Sequence, residues 1–314
     1  MFKKQYLIFN VLFFLSLLYP NWSANIKFGY DSNIMKHSDI ENPISSNVFQ
    51  IGGSYKTKFD ILKRKTRFSI HAKNSIYKLS EKSNYSYGFK IKQPIGDYRY
   101  VSFNYTYIDN IYLREYVDVD QGVVDFIYEG TDCHFDNTKL NLDYQFPILN
   151  KNSKINISYI YETQFYNRYF TEFDLEIDGL KIKYSTKIKE HKYNISLRYK
   201  KATNITLNDI TLSTSYMDRG YSETNFIILY RYDNMGVSAD LTKRNYSSNI
   251  TEDQLHINRK HDDVIYSFWY YFNIFDVKNK FVLKYRERDT SAMYVWVEQL
   301  KTFDKFNIEH SVYF

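Results

Sequence analysis

The stretch Ser153-Lys154-Ile155-Asn156-Ile157-Ser158-Tyr159-Ile160-Tyr161-Glu162-Thr163-Gln164 decides the fold. Ile155, Ile157, Tyr159 and Tyr161 recur at every second position, and between them stand polar residues apart from Ile160. Successive side chains of an extended chain leave on opposite faces, so this stretch has one greasy face and one wet face. Wound into a helix, the same residues would scatter around the axis and form neither face. The pattern predicts a strand.

Working outward, the alternation recurs in Tyr85, Tyr87, Phe89 and Ile91 against Ser86, Gly88, Lys90 and Lys92. It recurs again in Leu140, Leu142, Tyr144 and Phe146 and in Tyr193, Ile195, Leu197 and Tyr199. Extended from these anchors, it predicts strands near 24–35, 47–59, 64–79, 83–94, 97–111, 132–147, 153–167, 173–188, 191–203, 221–233, 235–247, 262–275, 279–290 and 302–314. That makes about fourteen, with twelve or sixteen also compatible. The connections alternate in length. Those near 60–63, 94–97, 147–152, 189–191, 233–235 and 276–278 are tight, whereas 35–46, 112–131, 204–220, 248–261 and 291–301 are long. Short turns at one end and long loops at the other characterise a transmembrane barrel, and an even strand count returns both chain ends to the short-turn side. The fold class expected is therefore all-β, a closed antiparallel transmembrane β-barrel.

Composition agrees. Aromatic residues make up 19% of the 314, with 33 Tyr and 24 Phe against 10 Gly and 4 Pro, a usage that suits strands and interfacial girdles. A mean hydropathy of −0.52 alongside 44% hydrophobic residues arises when apolar side chains are dispersed singly among polar ones. The formal charge of +6 is not gathered into a basic run, so nucleic acid is not an expected partner. Cys133 stands alone and reads as an isolated thiol in a loop, and no Cys or His spacing forms a metal site. Neither metal nor cofactor is expected.

Lys3 and Lys4, followed by the apolar run Tyr6 to Leu18 and then Pro20-Asn21-Trp22-Ser23-Ala24, read as a secretory signal peptide. The expected division is a leader over 1–23 and a barrel over 24–314. No later apolar run approaches the roughly 18 residues of a spanning helix, so a membrane-spanning mature chain must cross with strands.

The last predicted strand, Phe303-Asp304-Lys305-Phe306-Asn307-Ile308-Glu309-His310-Ser311-Val312-Tyr313-Phe314, places Phe306, Ile308, Val312 and Phe314 on one face. It resembles the carboxy-terminal signal of bacterial outer-membrane barrels, in which a final aromatic residue is read by the barrel-assembly machinery. His310 departs from that pattern. Gly29-Tyr30-Asp31-Ser32-Asn33-Ile34 is similar to the first strand of barrels such as those of the surface lipoprotein assembly modifier family. The resemblance implies a Gram-negative outer membrane, with lipid, lipopolysaccharide and the assembly machinery as partners. It implies a porin-like function, passive or selective transport of small hydrophilic solutes, with a surface-protein or lipoprotein translocator, or a structural or adhesive barrel, as the alternatives.

In such a barrel the polar face turns inward. Lys90, Lys92, Lys181, Lys183, Arg198, Lys200, Arg231, Lys284 and Arg286 are expected to line the lumen, with Lys56, Lys58, Lys187 and Lys305, and to outnumber Asp143, Glu162, Asp233 and Glu309. A lumen of this sign favours anions; the competing reading is that many of these residues, near the short-turn ends, snorkel to headgroups or pair with one another. The longest loop carries Glu115, Asp118, Asp120, Asp125 and Glu129 against Arg114. It is expected either to fold inward as a constriction or to remain solvated. Tyr107, Tyr144, Tyr161, Tyr199 and Tyr232, near strand ends, are expected at the headgroups. The seven histidines are scattered. His261-Asp262-Asp263 is the one local grouping that resembles a rim hydrolase site, and it lacks a defined partner, so no enzymatic activity is expected.

Overall fold

Each stretch of alternation runs as a strand, and each strand pairs antiparallel with the next. The computed structural model describes residues 21–38, 42–116, 131–148, 150–168, 170–206 and 217–314. In chain order the strands are β1 (Trp22–Asp31), β2 (Ser46–Ile61), β3 (Arg64–Tyr77), β4 (Asn84–Gly96), β5 (Arg99–Tyr116), β6 (Thr131–Ile148) and β7 (Asn150–Tyr166). They continue as β8 (Leu175–Ile188), β9 (His191–Asn204), β10 (Tyr221–Tyr232), β11 (Met235–Tyr246), β12 (Lys260–Ile274), β13 (Val277–Ser291) and β14 (Phe303–Tyr313). The order in space follows the sequence, and β1 pairs with β14 to close a barrel of fourteen. The seam runs from Asn25 opposite Tyr313 to Asp31 opposite Asn307. It is extended by two reciprocal backbone bonds: the Ala24 N–H donates to the Phe314 carbonyl at 3.2 Å and the Phe314 N–H to the Ala24 carbonyl at 2.9 Å.

Burial is inverted relative to a water-soluble domain. Leu180, Ile182, Leu197, Tyr266, Phe306 and Ile308 are exposed on the outside, while Ser158, Glu162, Lys200, Asn225 and Asp263 are buried on the inside. Tyr107, Tyr144, Tyr161, Tyr199 and Tyr232 all lie at outward positions. The Tyr107 hydroxyl donates to Asp136 at 2.6 Å, and that of Tyr161 to Glu176. Such pairs place a polar tip above an apolar ring at one edge of the belt. His310, the departure from the terminal pattern, also faces outward. Its Nε2 lies 3.0 Å from Asn279 Oδ1 and its ring stacks on Phe272, so the polar pair on the lipid face is mutually satisfied.

Departures from the sequence reading have local causes. β1 ends at Asp31, short of residue 35, because Asn33 folds the chain back: its Nδ2 donates to the His37 carbonyl at 2.6 Å and its Oδ1 accepts from the His37 N–H at 2.9 Å. At the other end, Trp22 and Ser23 lie in β1 opposite Tyr55 and Ser54, whereas residues 1–20 of the expected leader lie outside the described residues. β5 runs to Tyr116 through register shifts at Ile108/Ile111 and Tyr112/Arg114. The stretch 291–301, expected as a loop, contains helix α1 (Val295–Lys301), anchored by buried Val297 and by Glu298, which accepts the Ala292 N–H at 2.9 Å. Cys133 is buried within β6 and not in a loop.

The short turns are tight enough to force positive φ on non-glycine residues: Leu62 (51°) with Lys63 (58°), and Phe275 (47°) with Asp276 (62°). Two successive left-handed residues make the type I′ turn that matches strand twist, a position that favours Asn-Gly. Leu62 and Phe275 are 83% and 96% exposed, so no packing offsets a steric penalty of about 1–2 kcal/mol per residue. Replacing Phe275-Asp276 by Asn-Gly is expected to raise stability by about 1–2 kcal/mol. Urea unfolding in lipid vesicles measures it, and an unchanged or lowered midpoint contradicts the strain argument.

Candidate functional site

The lumen wall is fixed by register, because residues opposite one another across neighbouring strands share a face. One such row runs Lys58, Arg67, Lys92, Ser102, Asp143, Ser158, Lys181, Arg198, Asn225, Thr242, Asp263 and Arg288 from β2 to β13. It begins near the short turns and ends near the long loops, as strand tilt and stagger in a barrel require. Neighbouring rows carry Lys56, Lys90, Lys200, Glu223 and Arg244, or Lys183, Asp240, Arg286 and Lys305. Lys284 shares the row of Ser238 and Ser267, and Arg231 that of Gly236 and Trp269. All nine cations read from the sequence as lumen residues thus lie at inward positions. Asp233 does not: it sits in the turn after β10 with φ 45°, and its carbonyl accepts from Arg231 Nε at 3.0 Å.

Four inward carboxylates toward the long-loop end, and Glu309 midway along β14, are each clasped by cations. Asp31 holds Lys305 at 2.7 Å, Glu162 holds Lys200 at 2.6 Å, and Glu309 holds Lys27 at 3.3 Å and Lys284 at 3.0 Å. Glu223 takes Arg244 at 2.6 Å and Arg198 at 3.1 Å, and Asp263 takes Arg286 at 2.8 Å and Arg288 at 2.7 Å. Lys200, Arg198, Lys284 and Arg286 are therefore neutralised in place. Lys90, Lys181 and Lys183 make no ion pair within 4 Å among the described residues. Lys92 Nζ instead lies over the Tyr100 ring at 4.2 Å and 3.3 Å from Gln145 Oε1. The sequence reading missed Lys27, Lys73, Arg244 and Arg288, although their parity with neighbouring inward residues carries the signal.

The interior is filled unevenly. Near the long loops, Cys133, Phe135, Tyr166 and Phe170 form one apolar cluster and Leu175, Ile177, Ala202 and Tyr221 a second. The segment 247–259 packs onto them, with Asp253, His256 and Arg259 buried. Arg259 covers the Tyr246 ring at 3.8 Å, and Arg219 the Tyr166 ring at 4.8 Å. His256 Nδ1 meets Asp253 Oδ1 at 2.7 Å, and burial pushes its imidazole down to about 3, keeping it neutral. Along β2 and β3, by contrast, Lys56, Lys58, Arg67 and Lys73 are at inward positions and yet exposed. A side chain that points into a closed barrel and still meets solvent requires water in the lumen.

The remaining expectations fall as follows. Asp118, Asp120, Asp125 and Glu129 of the acidic loop lie outside the described residues, as does the Glu115 side chain. Phe306, Ile308 and Val312 occupy outward positions of β14, and Phe314 pairs with Ala24 at the seam. His261 and Asp262 leave on opposite faces of β12. His261 Nδ1 meets Thr290 Oγ1 at 2.9 Å, Asp262 lies 3.7 Å from Lys243 outside, and Asp263 is taken up by two arginines. The face alternation thus removes Asp262 from the grouping, while His261 and Asp263, on the inner face, bond to Thr290 and to Arg286 and Arg288 instead of to one another.

Closed, even-stranded, antiparallel, greasy outside and wet inside, the chain is a transmembrane β-barrel of the outer-membrane type. A solved structure shares its fold, and another is similar to it. The outer membrane channel DcaP of Acinetobacter baumannii superposes with a TM-score of 0.50 at 7% identity, over 94% of this chain and 96% of that one. OccD3 (OpdP) of Pseudomonas aeruginosa superposes at 0.45 and 11% identity, over 94% and 91%. No protein-family model and no curated protein matches the sequence.

Lys82, between β3 and β4 at the long-loop mouth, donates from Nζ to the Tyr112 carbonyl at 2.6 Å. Partial burial, and then Lys305, push its ammonium down to about 8, against the opposing pull of Asp31. A cation with a lowered pKa is neutral above that value and charged below it, so the mouth gains positive charge as pH falls through about 8. Reversal potentials in a salt gradient are expected to move toward anions over that interval. Lys82→Met is expected to flatten the profile, and a variant whose profile overlays the wild type contradicts the assignment.

Proposed function

We propose that this barrel is a pore for small hydrophilic solutes across the outer membrane, with a preference for anions. The observation that carries the reading is the exposure of inward Lys56, Lys58, Arg67 and Lys73, which requires a water path along the β2–β3 wall. In the outer half the carboxylates are matched by cations, whereas along this wall cations stand without a carboxylate within 4 Å among the described residues. Asp143 and Asp240, elsewhere on the inner face, are held by neutral donors, so it is along the β2–β3 wall that the field is positive and favours anions. On this reading lipid and lipopolysaccharide surround the belt, the assembly machinery reads β14, and no catalytic step is assigned.

Single-channel recording in planar bilayers tests the pore, and a refolded barrel that passes no current removes it. The sign is tested by Lys56→Glu/Lys73→Glu. A charge about 8 Å from a passing ion in water is worth about 0.5 kcal/mol, so each reversal, a two-unit change, moves anion and cation by about 1 kcal/mol in opposite senses and shifts their ratio by up to roughly thirtyfold toward cations at low salt, less as salt screens it. An unchanged ratio contradicts the anion preference.

A further inference from the structure

At the short-turn mouth the wall opens into a cleft of about 340 Å³ lined by Lys58, Arg64, Lys65, Arg67, Pro94 and Tyr100. The hairpin of β2 and β3 builds one side: Lys58 stands opposite Arg67, and Arg64 and Lys65 follow directly on the tight turn at Leu62 and Lys63. The β4–β5 hairpin builds the other, with Pro94 opposite Tyr100 and a register shift between Pro94 and Gly96. Lys92 Nζ, 4.2 Å from the Tyr100 ring centroid, adds a fifth cation beside that ring.

All four cations of the cleft are exposed, and none has a carboxylate within 4 Å among the described residues. Asp60, in register with Lys65 on the same hairpin, and Asp97 in the next turn make no such pair either. This is the opposite of the five carboxylates described above, each of which holds one or two cations. Like charges gathered in one concavity repel one another, and an ion bearing several negative groups relieves more of that repulsion than a monovalent one. Two guanidinium forks also bind oxyanions through paired N–H donors, which ammonium groups do not offer.

We propose that this cleft is a binding site for a multivalent oxyanion, a solute carrying two or more phosphate or carboxylate groups, at the periplasmic mouth of the lumen. The site deepens the pore reading and rests on it for the solute's route. The test uses the full-length refolded barrel in detergent at low salt, with binding of inorganic tripolyphosphate, citrate and acetate measured by calorimetry. Tripolyphosphate or citrate is expected to bind at least about tenfold tighter than acetate, and whichever binds tighter tells phosphate from carboxylate chemistry. Arg64→Ala/Arg67→Ala is expected to weaken that binding about tenfold or more. Lys187→Ala/Lys192→Ala, which removes the same charge from another part of the same mouth, is expected to leave it within about twofold. Heat-modifiable gel mobility verifies folding, and Arg64→Gln/Arg67→Gln serves if the alanine pair fails to fold. Equal weakening by both double variants, or no preference over acetate, overturns the site. Conductance of the same samples reads the pore separately: current without multivalent binding removes the cleft alone, and binding without current removes the pore.

Discussion

The structure depends on the requirement that no backbone N–H or C=O meet hydrocarbon unpaired. Strands satisfy it only when the sheet has no edge, and here the last edge disappears where β1 meets β14 along seven register pairs from Asn25–Tyr313 to Asp31–Asn307. Everything else about the wall is then constrained. With the seam register set, each row of facing residues is set around the circumference, and a slip by one residue would turn the greasy set of β14 inward and its Lys305 and Glu309 outward.

Closure also decides what the polar face must do. Inside a partly filled barrel a carboxylate loses some of its water, and five of them recover the loss by holding cations, four on adjacent strands and Glu162 across β8 on Lys200 of β9. Those clasps, together with the aromatic and arginine packing around Tyr166, Tyr221 and Tyr246, consolidate the half near the long loops. Along β2 and β3, by contrast, inward Lys56, Lys58, Arg67 and Lys73 are exposed and have no carboxylate within 4 Å among the described residues.

Much of this was legible in the residues. Ile155 to Tyr161, or Tyr193 to Tyr199, announce a strand and its two faces without reference to any other part of the chain, and the inward positions of Lys90, Lys181 and Arg286 follow from the same count. What was not legible has identifiable causes. The Asn33 side chain competes with the ladder for backbone partners and ends β1 early. Helix α1 lies in a stretch expected as a loop and depends on burying Val297. His310 looked like an error on the lipid face until Asn279 and Phe272 came beside it.

The sequence by itself determined the strand class, the short and long ends and which residues turn inward, because alternation is a local property that each segment carries alone. Only the tertiary structure decided which of their charges are spent on one another and which remain free. Glu162 finds Lys200 across 38 positions, and Lys305 finds Asp31 across 274. Electrostatic pairing acts over a few ångströms in space, and no local pattern records which distant strands the closed register will bring within that range.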